Sequence, residues 1–284
     1  MNLKIALAQI KVINSQPLEN LQKAEKFILD AASQNVELIC FPEMFLTGFN
    51  WDFLNSDKNN FSSYINTLAS LAKKYKIWIN GSMPELNEEG NICNTSILFD
   101  SNGERAATYR KIHLFSYMKE NEHLAAGTKL AFSNSPWGKT GLSVCYDLRF
   151  PGMFQTYAIN GVKLQLHPAA WPYPRLEHWQ TLTKARAIEN QMFVAAVNQV
   201  GDEDFGSNGA VTYFGNSMVI DPWGKVLVQG NDKDETLLTA EIDLDTVDEI
   251  RNTITVFEDR NRGVRCYKSS KLIFFWLQLL QNNL

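Results

Sequence analysis

A carboxylate, an amine and a thiol each follow a short apolar run that is typical of a buried strand. These three reactive side chains are Glu43, Lys111 and Cys145. In α/β sheets, ligands tend to bind beyond the carboxyl ends of the strands. The three side chains are therefore candidates for one site, although their separation along the chain leaves open whether they meet.

Cys145 is the candidate nucleophile of such a site. It lies at the end of a predicted strand over 139–146, shortly before a helix that Pro151 is expected to begin, where a helix dipole favours an anion. An ordinary thiol titrates near about 8.5, so the dipole or a neighbouring base must activate it. A carboxylate such as Glu43 can be that base, and an ammonium such as Lys111 can stabilise the oxyanion formed when a thiolate attacks an amide. When each residue is considered alone, the commoner interpretation is that Cys145 is a core cysteine and that Glu43 and Lys111 are surface charges.

Short β-rich runs alternate with amphipathic stretches, which predicts a layered α/β fold. Strands are predicted over residues 5–10, 36–41, 77–81, 92–100, 139–146, 162–167, 193–198, 217–221 and 226–229. Helices are predicted over residues 18–33, 61–74, 175–191 and 245–251 and from Pro151 onward. No linker rich in Pro, Gly or Ser divides the sequence, so we expect a single domain over residues 1–267.

Composition excludes several classes of protein. The 284 residues include 27 Lys and Arg against 31 Asp and Glu, so the chain lacks the basic surplus expected of a nucleic-acid-binding protein. No stretch approaches the roughly 20 apolar residues that span a bilayer. Four cysteines without paired spacing indicate a reduced, cytoplasmic protein. The four histidines lack the close spacing of metal ligands and phosphate-binding glycine motifs are absent, so we expect neither a metal nor a nucleotide cofactor.

The segment over 268–284 differs from the rest because residues 272–280 form an apolar run. This run is too short to cross a membrane and too apolar to be left in water. We expect it to pack on the body of the protein or on a second copy. Shallow binding to a membrane interface is the alternative, although the segment lacks the basic face that such helices usually carry.

Three motifs together resemble those of the nitrilase superfamily of carbon–nitrogen hydrolases. They lie over residues 41–49, 109–114 and 141–151, in the order and at separations compatible with the family. The opening strand over 5–9 and the run over 185–191 are also similar, so the resemblance covers roughly residues 3–267.

The resemblance implies an α-β-β-α sandwich, a homodimer and a Glu–Lys–Cys triad without a metal. When the roles of the family's triad are assigned to this sequence, Glu43 is the general base, Lys111 is the cation that stabilises the oxyanion and Cys145 is the nucleophile. The family also uses a second glutamate, which positions the lysine or the attacking water. The Glu-His-x-x-x-Gly pattern assigns this role to Glu122, whereas Glu120 does not fit that pattern. The backbone N–H of Tyr146 is the expected second donor to the oxyanion.

Within the family, the chain is most similar to the omega-amidase branch, which hydrolyses 2-oxoglutaramate and 2-oxosuccinamate. Ser116 departs from that branch, which more often carries an aspartate there. A free carboxylate on the substrate needs a cation, and Arg149 and Arg175 are candidates, with Trp171 as a wall of the pocket. A nitrilase or a deaminated-glutathione amidase would use the same triad. A non-catalytic interaction module is disfavoured because all three reactive side chains are present.

Overall fold

The opening strand of the chain shows how the sequence builds two faces of a sheet. Ile5 and Leu7 belong to one buried apolar cluster, whereas Ala6 and Ala8 belong to a second. Successive side chains of a strand point to opposite faces, so a strand that is apolar at every position must be covered on both sides. This pattern requires a layer of structure above and below the sheet.

The computed structural model describes residues 1–204 and 210–260. The strands in these ranges are β1 Asn2–Gln9, β2 Leu38–Cys40, β3 Trp78–Leu86, β4 Ile92–Phe99, β5 Arg105–Arg110, β6 Phe132–Ser135, β7 Gly138–Leu142, β8 Leu164–Ala169, β9 Phe193–Asn198, β10 Val200–Asp204, β11 Ala210–Phe214, β12 Met218–Ile220, β13 Val226–Gln229 and β14 Thr236–Asp243. The α-helices there are α1 Pro17–Ser33, α2 Trp51–Asp57, α3 Phe61–Tyr75, α4 Glu120–His123, α5 Pro151–Ile159, α6 Leu176–Asn190 and α7 Asp245–Thr253.

The strands form two mixed sheets of six strands and one small hairpin. The order in the first sheet is β14-β1-β2-β3-β4-β5, and the order in the second is β13-β12-β9-β8-β7-β6. Strands β1, β2 and β3 are parallel, as are β7, β8 and β9, and β10 pairs with β11. The predicted alternation of strands and helices is confirmed.

The two sheets pack face to face and each is covered by helices. One apolar cluster joins side chains of both sheets, such as Leu7 and Leu166, and continues to Trp179 on α6. The other joins the outer face of the first sheet to α1 and α3, with Ile28 and Leu68 among its members. The expected four-layer α-β-β-α sandwich is therefore confirmed.

Met1–Ile250 form one compact unit, and Arg251–Leu284 belong to a second unit. The predicted end of the domain at residue 267 and the apolar segment over 268–284 lie outside the described residues. None of the helices that the structure describes is long and apolar enough to cross a membrane.

Candidate active site

Lys111 lies between two carboxylates in the interior of the protein. Its Nζ donates to Glu43 Oε1 at 2.7 Å and to the carboxylate of Glu120 at 2.8 Å. Lys111 is 0% exposed, and Glu43 and Glu120 are 1% and 3% exposed. Buried charges persist in a protein when they are paired and hydrogen-bonded, and this ammonium meets both conditions.

Glu43 is held by donors on both of its carboxylate oxygens. It follows β2, and Asn94 Nδ2 on β4 donates to its Oε1 at 2.8 Å while the backbone N–H of Ala170, just after β8, donates to its Oε2 at 2.9 Å. Ser82 Oγ donates to Asn94 Oδ1 at 2.7 Å, which fixes the amide of Asn94 with its donor toward Glu43. Strands of both sheets therefore orient this carboxylate.

Cys145 begins a short 3₁₀ helix, Cys145–Arg149, instead of ending a strand. Strand β7 stops at Leu142, four residues before Tyr146, at which the predicted strand ends. Cys145 has a φ of 46°, a left-handed conformation that a residue with a side chain rarely adopts. Such strain costs on the order of 1–3 kcal/mol and clusters at functional sites, where the surrounding structure must hold it.

The electrostatics of the site keep the resting thiol neutral and the ammonium charged. Burial raises the pKa of Cys145 well above its ordinary value, and the adjacent Glu43, to which the thiol hydrogen-bonds, raises it further, while Lys111 lowers it. Burial lowers the pKa of Lys111, but Glu120 and Glu43 more than offset this, so the net shift is upward. Burial raises the pKa of Glu120, against the opposing effect of Lys111. A thiol beside Glu43 is thus placed to lose its proton to that carboxylate during attack.

The second glutamate at the lysine is Glu120, so the prediction that Glu122 occupies this place is wrong. Glu120 also accepts from the backbone N–H of Phe115 at 2.9 Å, whereas Glu122 is exposed. Both lie on the single-turn helix α4, where residues two apart point to different sides. The pattern that selected Glu122 does not report which side of this turn faces the core.

The predicted substrate-binding residues gather around the thiol. Tyr146, Arg149, Trp171 and Arg175 line one small cavity of about 20 Å³ together with Cys145. The guanidinium of Arg149 lies 4.9 Å from the ring of Trp171. The guanidinium of Arg175 lies 5.8 Å from the ring of Phe115 and 5.8 Å from the ring of Tyr117. Within the described ranges, no ion pair with a carboxylate engages either arginine.

A second small cavity of about 30 Å³ brings Glu43, Glu120 and Cys145 together with residues that the sequence analysis did not select. These additional lining residues are Phe49, Phe115, Met118, Ala170, Pro172, Val211 and Tyr213. Most are apolar and come from loops and the β10–β11 hairpin. No local pattern distinguishes them from ordinary core residues, so their role is visible only once the strands are placed.

A wider cavity of about 740 Å³ opens beside the small ones and shares Arg175 with the first and Met118 with the second. Its described lining includes Lys119, His123 and Arg175 and contains no aspartate or glutamate. The charged side chains of this lining are cationic, and the nearby carboxylates of Asp202 and Asp232 accept hydrogen bonds from the lining residues Thr212 and Tyr173. Across the described residues, no group of His, Cys, Asp and Glu side chains is arranged to hold a metal ion.

Comparison with known proteins places these features in one family. The family model described as carbon-nitrogen hydrolase matches residues 4–252. The chain is 36% identical to the 2-oxoglutaramate amidase of Bacillus subtilis, over 91% of this chain and 98% of that protein. It is 35% identical to the deaminated glutathione amidase of Dictyostelium discoideum, over 90% and 93%. Among solved structures, Saccharomyces cerevisiae Nit3, a member of the nitrilase superfamily, superposes with a TM-score of 0.81 at 28% identity, covering 92% of this chain and 97% of that one.

Proposed function

Because the chain belongs to the carbon–nitrogen hydrolase family and is similar to amidases of that family, we propose that it hydrolyses the terminal amide of small dicarboxylate monoamides. The substrates we propose are 2-oxoglutaramate and 2-oxosuccinamate, and the products are the dicarboxylic acid and ammonia. The observation that carries this proposal is the pair Arg149 and Arg175, which line the same cavity as Cys145. A guanidinium binds a carboxylate in a bidentate manner, so either arginine suits the free carboxylate of such a substrate.

In the proposed mechanism, Glu43 takes the proton of the Cys145 thiol as the sulfur attacks the amide carbon. The negative charge that develops on the carbonyl oxygen is stabilised by the ammonium of Lys111 and by the backbone N–H of Tyr146. Glu43 then returns its proton to the leaving nitrogen, the C–N bond breaks and ammonia departs, which leaves a thioester on Cys145.

The second half of the reaction uses the same groups in reverse. Glu43 removes a proton from a water molecule, whose oxygen attacks the thioester carbon, and Lys111 again stabilises the oxyanion. The C–S bond breaks, the sulfur recovers the proton and the acid is released. Glu120 does not touch the reacting atoms in this scheme; it holds the Lys111 ammonium in place at 2.8 Å.

The wide cavity also supports an anionic substrate, because it adds the cation Lys119 to Arg175. Lys119 and Arg175 lie at its wall without a carboxylate among the described lining residues. A cleft lined by one sign of charge raises the local concentration of oppositely charged ligands and speeds their association. A substrate with a free carboxylate would therefore reach Cys145 faster at low ionic strength than at high ionic strength.

Deaminated glutathione is the second candidate substrate, and the size of the wide cavity is the observation that favours it. At about 740 Å³ this cavity falls in the range that holds drug-sized ligands, so a longer amide could extend into it from Cys145. A relative from Dictyostelium discoideum carries that activity by name. The small volumes directly beside the thiol favour the shorter acyl group.

Release of the carboxylic acid product from a panel of amides tests the proposal, because deaminated glutathione is a secondary amide whose hydrolysis frees an amine and no ammonia. The panel holds 2-oxoglutaramate, 2-oxosuccinamate, deaminated glutathione, an uncharged short amide and a simple nitrile, with the Cys145→Ala variant as the blank. We expect kcat/KM for the first two to exceed the others at least about tenfold, which corresponds to about 1.4 kcal/mol of transition-state binding. Preferential turnover of deaminated glutathione, or of the nitrile, would contradict the proposed substrate class.

A further inference from the structure

Asp147 is a buried carboxylate that the proposed chemistry leaves without a part. It is 0% exposed, and its two oxygens accept four hydrogen bonds. Oδ2 accepts from Tyr109 OH at 2.7 Å and from the backbone N–H of Val144 at 2.9 Å. Oδ1 accepts from the backbone N–H of His113 at 3.1 Å and from His113 Nδ1 at 2.7 Å. A carboxylate oxygen accepts, so the proton of this last contact lies on Nδ1.

The donors to Asp147 lie close in sequence to the two reacting side chains, on the segment that carries Lys111 and on the turn that carries Cys145. Tyr109 and His113 stand two residues before and two residues after Lys111, and Val144 directly precedes Cys145. The backbone N–H of Asp147 also donates to the carbonyl of Val144 at 3.0 Å, which closes the turn around the nucleophile. The side chain of Asp147 thus joins the segment around Lys111, in the first sheet, to the turn around Cys145, in the second sheet.

We propose that Asp147, with Tyr109 and His113, is a positioning group that sets the separation between the Lys111 ammonium and the Cys145 thiol. None of the three lines either small cavity beside the thiol, so they act through the backbone and not on the substrate. The inference rests on the roles proposed above for Lys111 and Cys145.

The strain at the nucleophile explains why such a group is needed. Cys145 has a φ of 46° and follows the end of β7, so the sheet ladder does not hold its backbone. A strained backbone conformation such as this positive φ persists only where several neighbouring contacts hold it in place. Since an error of about 1 Å in the placement of catalytic groups can cost on the order of 100-fold in rate, a cross-link between the two turns has a direct effect on catalysis.

His113 offers the mildest place to perturb this arrangement. Its side chain is 27% exposed, and its ring stacks on Phe150 with 3.6 Å between centroids and 7° between planes. Three variants separate the hydrogen bond from the stacking. His113→Ala removes both, His113→Phe keeps an aromatic ring without a donor, and His113→Asn keeps a donor near the position of Nδ1 without an imidazole.

We expect His113→Ala and His113→Phe to lower kcat at least about tenfold with KM within about threefold of the wild type, because only the geometry of the reacting groups changes. His113→Asn should recover most of the lost kcat. Wild-type kcat in the alanine or phenylalanine variant, or no recovery in the asparagine variant, would overturn the assignment of this donor.

A second measurement needs no substrate, so its failure is separable from that of the proposed function. The rate at which iodoacetamide alkylates Cys145 is followed by peptide mass spectrometry in the wild type and in Asp147→Asn. Asparagine replaces one acceptor oxygen with an NH₂ donor, which cannot accept the bonds that Asp147 accepts. We expect a fall of at least about tenfold in the alkylation rate, because the thiol loses its alignment with Glu43, the base that takes its proton.

The matched control is Asp57→Asn, which disturbs the hydrogen bond from Tyr64 OH to Asp57 Oδ2 at 2.8 Å, away from the site. If Asp147→Asn does not fold, Tyr109→Phe replaces it, because this variant removes the hydrogen bond from Tyr109 OH to Asp147. Its control is Tyr64→Phe, which removes the hydrogen bond to Asp57. An alkylation rate that is unchanged or increased in the folded variant overturns the proposal. A fall confined to the Asp147 or Tyr109 variant supports it, even if every amide of the panel proves a poor substrate.

Discussion

At the scale of single residues, the site is defined by a buried ammonium between two carboxylates, next to a thiol that is neutral at rest. The pKa of Cys145 is raised by burial and by Glu43, so the site does not store a thiolate. The proton must therefore move during attack, and Glu43 is the adjacent base. Removing one member of such a cluster leaves a charge without its partner, which costs more than the pair contributes in the intact protein.

Replacing Cys145 by alanine should abolish hydrolysis and leave the fold intact. The change removes the nucleophile and relieves the steric demand of a side chain at positive φ only slightly. Ammonia release and thermal unfolding measure the two effects, with Cys40→Ala as a control because Cys40 is a buried cysteine of the core. Turnover within about tenfold of the wild type would contradict the role of Cys145.

The two neighbouring glutamates make a sharp test of the corrected assignment. Glu120→Gln should lower kcat on the order of 100-fold, because a neutral amide holds the Lys111 ammonium less firmly and changes the charge around it. Glu122→Gln should change kcat less than about twofold, since Glu122 is exposed. Steady-state kinetics on the same substrate compare them, and the opposite ranking would restore Glu122 as the second glutamate.

The arginines of the cavity should act on binding more than on the chemical step. Arg149→Ala or Arg175→Ala is expected to raise KM for dicarboxylate monoamides by about tenfold or more and to affect uncharged amides much less, because only the former present a carboxylate. The KM ratio between the two substrate classes is the measurement. Equal effects on both classes would reject a carboxylate-binding role.

At the scale of elements, the ends of β7 and β8 carry a buried polar contact behind the nucleophile. Ser143, just after β7, lies with its Oγ 2.8 Å from His167 Nδ1 on β8, and Gln165 Nε2 donates to the same Oγ at 2.9 Å. His167 is 0% exposed. Burial lowers the pKa of His167 to about 4, so the folded protein holds this imidazole neutral.

This shift predicts a loss of stability in acid. The unfolded chain binds a proton at His167 below about 6.5, whereas the folded chain does so only below about 4, so between these values the unfolded state binds more protons and is favoured as the pH falls. The difference corresponds to about 3 kcal/mol of unfolding free energy, present above pH 6.5 and lost by pH 4.

Urea unfolding between pH 7 and pH 4 measures this contribution. His167→Gln should flatten the pH dependence, while His178→Gln, at an exposed position, should leave it as in the wild type. The same slope in His167→Gln and the wild type would show that His167 is not the group responsible.

At the scale of the whole molecule, two six-stranded sheets each bring reactive residues to a common edge. The first sheet contributes Glu43 and Lys111, from the ends of β2 and β5, and the second contributes Cys145 beyond β7. Neither sheet carries a complete site alone. Any change that lets the sheets slide relative to one another would separate base and cation from nucleophile, which makes the packing between the sheets part of the catalytic apparatus.

The homodimer stays a prediction at this scale. Light scattering coupled to size exclusion should give a mass near twice that of the 32.3 kDa chain if the expectation holds. A mass near 32.3 kDa at micromolar concentration would contradict it. The same experiment in the presence of vesicles would show whether the apolar segment over 268–284 binds a membrane interface.

The sequence by itself determined the fold class and the triad. Period-two and helical apolar patterns located most strands and helices, such as β9 and α1, because burial on defined faces leaves a local record in the chain. The edge strand β14, which pairs with β1 along its whole length, was not predicted, since most of its residues are only partly buried. Glu43, Lys111 and Cys145 were identified from their motifs, which are short and contiguous.

Only the tertiary structure decided which glutamate reaches Lys111, which side chains wall the cavity and what holds the nucleophile turn. Glu120 is selected over Glu122 by the direction in which α4 faces the core after the left-handed Lys119 (φ 60°). Tyr213 and Val211 enter the site from a hairpin about 65 residues beyond Cys145, and Asp147 joins turns of different sheets. These contacts link residues distant in sequence through the packing of two sheets, and no local pattern records a distance across that interface.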